Sequence, residues 1–95
     1  MEQITGNSSD MNVFDHINNR YFHMTKAEKR VADYVMAHRL EPQYMSISEL
    51  AIASKVAEAT ISRFCRNLGL KGYNAFKLEL AKATVAHDSG APSMG

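Results

Sequence analysis

Arg63 and Arg66, in the stretch EATISRFCRNLG, are the residues of this chain best suited to chemistry with an anion or a nucleobase. A guanidinium is planar, permanently charged and forked, so it can bond two acceptors on the edge of guanine or two oxygens of a phosphate. Wound into a helix at about 100° per residue, the stretch gathers Ile61, Phe64, Cys65 and Leu68 on one side. Ala59, Ser62, Arg63 and Arg66 fall on the other. That second face carries two cations, no acid, and otherwise very small side chains. The DNA major groove, about 12 Å wide, admits a helix whose outer side chains are not bulky. The arginines and Ser62 would then meet bases or phosphates. A solvated surface face is the ordinary competing reading of two arginines, so the neighbouring elements must decide.

Other chemistry finds little support. Cys65, the single cysteine, has no partner for a disulfide, a zinc site or a redox pair, and reads as a small core residue. His16, His23, His38 and His87 are scattered without a metal-ligand spacing. No nucleophile-base pair and no phosphate-cradling glycine loop is present, so neither an enzyme, a cofactor nor a metal is expected. No apolar run reaches the roughly 18 to 20 residues that cross a bilayer, and the opening MEQITGNSSD lacks a signal-peptide pattern. A soluble, cytoplasmic protein is the expectation. Net charge is +1, but its distribution is uneven. Residues 1–45 hold five Lys/Arg against six Asp/Glu, whereas residues 46–86 hold six against three.

Ninety-five residues suffice for one small helical domain. Residues 1–10 are polar and expected to be unfolded, residues 11–86 to form the domain, and residues 87–95, HDSGAPSMG, to be a flexible tail. The pattern predicts an all-α, compact bundle of about five helices. The first spans about Asn12 to Arg20, with Val13, Phe14 and Ile17 inward. The second opens at TKAE, a capping box of Thr25 and Glu28, places Ala27, Val31, Tyr34 and Val35 on one stripe, and is closed by Glu41-Pro42. The third opens at SISE, a second capping box, and reaches about Ser54 with Ile47, Leu50 and Ala51 inward. Gly69 ends the fourth. The last runs from Tyr73 to Ala86, with Tyr73, Phe76, Leu80 and Ala83 or Thr84 buried.

The third and fourth helices are short, and only Ser54-Lys55-Val56-Ala57 separates them. Neither is stable alone, so they must pack on each other at a steep angle. A helix-turn-helix needs a small residue at the contact, an apolar residue in the turn and apolar anchors on the second helix; Ala51, Val56, Ile61 and Phe64 supply them in order. This spacing lifts the DNA reading above the solvated-face reading. Around Ala59, Ser62, Arg63 and Arg66, Thr60 and Asn67 lie at the edge of the wheel within reach of phosphates. Glu58 either favours the helix start electrostatically or reads a cytosine amino group. Ser46 and Ser48 offer hydroxyls at a phosphate-attracting helix start, and Lys55, Lys71 and Lys77 are further phosphate candidates. The competing function is a helical protein-interaction or dimerisation module, in which Tyr34, Tyr44, Tyr73 and the methionines supply a docking surface.

The runs MTKAEKRVADYVMAH and SISELAIASKVAEATISRFCRNLGLKGYNAFKLELA resemble the N-terminal DNA-binding domain of the RpiR family of bacterial transcription regulators, over about residues 22–84. The resemblance implies sequence-specific binding of double-stranded DNA, a homodimer on a roughly palindromic operator, and control of carbohydrate-metabolism genes. It also implies a phosphosugar effector, bound by a C-terminal sugar isomerase domain that this chain lacks. Two positions depart from the family pattern, which usually has glycine where this chain has Lys55 and serine where it has Ala57. Both lie in the turn.

Overall fold

A computed structural model describes residues 12–90 of the chain. Among the described residues five α-helices follow one another: α1 (Val13–Arg20), α2 (Lys26–Ala37), α3 (Ile47–Ser54), α4 (Glu58–Asn67) and α5 (Tyr73–Gly90). Single 3-10 turns at Tyr21–His23 and Pro42–Tyr44 join α1 to α2 and α2 to α3. No strand occurs among the described residues, and the all-α bundle read from the sequence is the observed class. Residues 1–10 and the last five residues of the expected tail lie outside the described residues.

Local chemistry sets most helix starts. At α2 the Thr25 hydroxyl accepts the Glu28 amide and Glu28 Oε1 accepts the Thr25 amide, each at 3.1 Å. Ser46 and Glu49 repeat the arrangement at α3, with bonds of 2.9 and 3.0 Å. Asn12 and Asp15 form a third box at α1. Each box satisfies amides that a helix start leaves without partners.

Two boundaries differ from expectation. Helix α2 ends at Ala37, with His38 at φ −126° and ψ 67°, rather than carrying on to Glu41-Pro42. Pro42 instead opens the 3-10 turn, where its missing N–H removes no helical bond. Helix α5 continues to Gly90, past the boundary expected after residue 86. Its Ala86-His87-Asp88-Ser89 run holds no proline, and polar composition alone does not stop a helix already propagating.

The core is one cluster to which every helix contributes: Val13, Phe14 and Ile17 from α1, Val31, Ala32 and Val35 from α2, Leu50 and Ala51 from α3, Ile61, Phe64 and Cys65 from α4, and Phe76, Leu80 and Ala83 from α5. The expected inward faces hold, with two adjustments. Ala32 rather than Ala27 is buried on α2, and Tyr34, Ile47, Val56, Leu68 and Tyr73 are half-buried at the margin. Phe64 and Phe76 meet edge to face at 5.4 Å, locking α4 onto α5. Cys65 is buried, and desolvation pushes its thiol up to about 12. It is a core residue, as read from the sequence.

The α3–α4 junction is tightly specified. Lys55 takes φ 63° and ψ 45°, the left-handed conformation. The Val56 amide then bonds Ala51 O at 2.9 Å and the Lys55 amide bonds Ile52 O at 3.1 Å, the nested pair that closes a helix in a Schellman motif. Val56 is thereby carried back onto the core. The chain keeps the path that favours glycine and holds a lysine in it.

Candidate nucleic-acid interface

Burial of Ile61, Phe64 and Cys65 fixes how α4 faces outward. All three are fully buried, and Ile61 and Phe64 each contribute about 1.5–3 kcal/mol to holding the helix in that rotation. Ala59, Arg63 and Arg66 consequently form an exposed ridge, with Ser62 half-buried on its shoulder. Among the described residues the ion pairs are His38 with Glu41 and Lys82 with Glu79, so neither arginine has a carboxylate partner there. An unneutralised, small-residue ridge is the arrangement a groove or another polyanion requires.

On one flank of the ridge, α4 faces α3 and α5. Glu58, at the first position of α4, accepts a hydrogen bond from the Ser48 hydroxyl on the first turn of α3. Its carboxylate is therefore tied to the neighbouring helix start while also lying favourably at the positive end of its own helix. Ser46, Ile47, Ser62, Tyr73, Asn74 and Lys77 line a shallow depression beside this pair. Lys77 Nζ stands 5.6 Å from the centre of the Tyr73 ring. The Tyr73 hydroxyl donates to Met45 O at 2.7 Å, and burial pushes its pKa up to about 12, with Cys65 and Glu49 adding smaller electrostatic effects. Sequence reasoning named Ser46, Ser62 and Lys77 separately; the fold brings them together and adds Asn74, one turn before Lys77.

The other flank faces α1 and α2. Asn67, placed by sequence reasoning at the phosphate edge, is half-buried, and its side chain is bonded within the protein. Its Nδ2 donates to Glu28 Oε1 at 3.1 Å and its Oδ1 accepts from Arg20 Nη2 at 3.3 Å. Glu28 is buried, and the same oxygen accepts the Thr25 amide, so one carboxylate serves both a cap and an interhelical clamp. The cation delivered to this flank is Arg20, which is exposed. It is separated from Asn67 by 47 positions, and no local pattern could have named it. Thr60 is half-buried on this side of α4.

Lys55 is exposed in the turn and Lys71 in the α4–α5 connection, neither in the depression. Among the described residues no group of acidic, histidine or cysteine side chains could hold a metal ion, and no helix is long and apolar enough to cross a membrane.

Comparison with known proteins places this geometry. The chain is 40% identical over 78 residues to an uncharacterized HTH-type transcriptional regulator of Haemophilus influenzae, covering 82% of this chain and 27% of that protein. It is 36% identical over 75 residues to the HTH-type transcriptional regulator HexR of Pseudomonas aeruginosa, covering 79% and 26% respectively. Among solved structures, NanR of Vibrio vulnificus, complexed with ManNAc-6P, superposes with a TM-score of 0.76 at 29% identity, over 84% of this chain and 31% of that one. The chain thus spans about a quarter of the length of the curated relatives it matches. A model of the rpiR-family helix-turn-helix domain matches residues 11–87, nearly the whole described chain, and the chain belongs to that family.

Proposed function

We propose that this chain is the sequence-specific DNA-binding part of a transcriptional regulator, and that α4 enters the major groove. The observation that carries the reading is the ridge of Ala59, Arg63 and Arg66: exposed, free of carboxylate partners among the described residues, and rotated outward by a fully buried opposite face. Arginines on such a ridge suit the O6 and N7 acceptors of guanine, and flanking polar groups suit phosphates. Lys55, Lys71, Lys77 and Arg20 supply phosphate-directed charge around it. Asn67 acts at one remove, by holding Arg20 and Glu28.

The regulator acts as a homodimer on a roughly palindromic operator, with half-sites about one helical turn, or a multiple, apart. Its sites control carbohydrate-metabolism genes. A phosphosugar effector binds a part of the protein outside these 95 residues, a reading supported by the ManNAc-6P bound to NanR.

Selection of bound duplexes from a random pool, followed by salt titration on an enriched and a scrambled sequence, tests the proposal. An enriched motif repeated with inverted symmetry, and affinity falling steeply with salt, is the expected outcome. Absence of binding to any duplex at low salt overturns it in favour of a protein-docking module.

A further inference from the structure

We infer that the depression where α3, α4 and α5 meet is a seat for one phosphodiester of the DNA backbone. The inference rests on the reading of α4 as the groove-entering helix; it extends the footprint to Asn74 of α5 and gives Lys77, already counted among the phosphate-directed cations, a defined seat. Three separate helices converge on the depression, through Ser46 and Ile47, Ser62, and Tyr73, Asn74 and Lys77. Lys77 is its one lining cation and is held in place by the Tyr73 ring, itself anchored through its hydroxyl to Met45 O. Asn74 lies one helical turn before Lys77 on the same face and is exposed. Ser46 Oγ accepts the Glu49 amide, which leaves its hydroxyl hydrogen available to donate. Of the amides opening α3, those of Ile47 and Ser48 lie outside the capping box and add donors with no partner inside the helix. Ser62 lies on the shoulder of the Ala59-Arg63-Arg66 ridge, so a strand whose bases meet the ridge brings its backbone to this side.

The surrounding acids select the source of the phosphate. Neither carboxylate lines the depression, but Glu49 accepts the amide of its lining residue Ser46, and Glu58 accepts the hydroxyl of Ser48, next in sequence to lining residue Ile47. They disfavour a small free anion. A phosphodiester already tethered by its neighbours' contacts with Arg63 and Arg66 overcomes that repulsion. Ser62 thereby becomes a backbone contact, leaving base reading to Arg63, Arg66 and the close approach at Ala59.

The test compares wild type, Lys77→Gln, Asn74→Asp and the double variant Arg63→Ala/Arg66→Ala of this chain. Fluorescence anisotropy on a mixed-sequence duplex of about 25 base pairs, between roughly 50 and 200 mM salt, gives affinity and salt slope. Lys77→Gln is expected to weaken binding about 3- to 10-fold at the low-salt end and to reduce the slope by about 0.9. Asn74→Asp weakens it at least as much, by placing a charge against the backbone. Neither changes the thermal midpoint appreciably, since neither side chain carries a hydrogen bond among those described. Inorganic phosphate at about 10 mM, matched in ionic strength with chloride, does not compete. If both variants bind like wild type with unaltered slope while the arginine variant fails, the α4 reading stands and the seat does not. If wild type binds no duplex, both fall. Lys77-dependent competition by inorganic phosphate would make this a free-anion site and overturn the inference.

Discussion

The two helices of the motif are finished in opposite ways. Helix α3 begins with a complete capping box of Ser46 and Glu49 and ends on Lys55, a lysine at φ 63°. Helix α4 begins on Ala57, whose side chain caps nothing, and ends on Gly69 at φ 87°. Both C-termini close identically: the Leu70 amide bonds Cys65 O at 3.1 Å and the Gly69 amide bonds Arg66 O at 2.9 Å, as Val56 and Lys55 do on α3. One closure uses the residue that takes a left-handed conformation freely, and the other uses one that pays roughly 1–2 kcal/mol for it. The unfavourable choices, Lys55 and Ala57, fall together in the turn, where the buried Ser54 Oγ also lacks a partner among the described residues. Such a turn does not form by its own preference. It is imposed by Ala51, Val56, Ile61 and Phe64 packing beneath it, and it leaves Lys55 exposed beside the start of α4.

The largest test removes the frame beneath both ends. Phe64→Ala is expected to destabilise the chain by about 3–5 kcal/mol, read from urea unfolding. A loss under about 1 kcal/mol would mean the turn does not depend on that anchor. Gly69→Ala comes next. A Cβ there meets nothing within 4 Å, so only the backbone resists, and a loss of about 1 kcal/mol is expected. Ala57→Ser supplies the missing cap and should raise stability by roughly 0.5–2 kcal/mol. Thermal denaturation measures it, and no gain would show that the Thr60 amide is already satisfied by its 3.0 Å bond to Ala57 O. Lys55→Gly should gain somewhat less than about 1 kcal/mol, because glycine relieves the strain but enlarges the unfolded ensemble. The same variant should lower the salt slope of DNA binding by about 0.9. Greater stability with unchanged DNA binding would reduce Lys55 to a strained surface residue.

The legible parts of the chain were those governed by local chemistry. TKAE and SISE announce their capping boxes, the apolar stripe of α4 announces its rotation, and Gly69 announces its end. The less legible parts depend on distance in sequence or on tertiary packing. The Arg20–Asn67–Glu28 bonds join three helices, and a glutamate already explained as a cap gives no hint of a second partner. The end of α2 is not legible in the sequence because Pro42 signals a break without locating it, and the chain leaves the helix at His38. The depression was half visible: a lysine at an i+3 spacing from Asn74 is an ordinary helical surface pair until α3 and α4 converge on it. At Lys55, sequence comparison identified the anomaly, but only the backbone shows that the strained path was kept.

In the proposed function, α4 reads base edges in the major groove through its arginines. Replacing guanines of a selected half-site with 7-deazaguanine removes the N7 acceptor and leaves base pairing intact. Its cost to wild type, Arg63→Ala and Arg66→Ala tests the claim most directly. The expected result is a loss of roughly 1–3 kcal/mol for wild type that disappears in one of the two variants, because the missing acceptor and the missing guanidinium belong to one contact. An equal loss in all three proteins, or none in any, would contradict it.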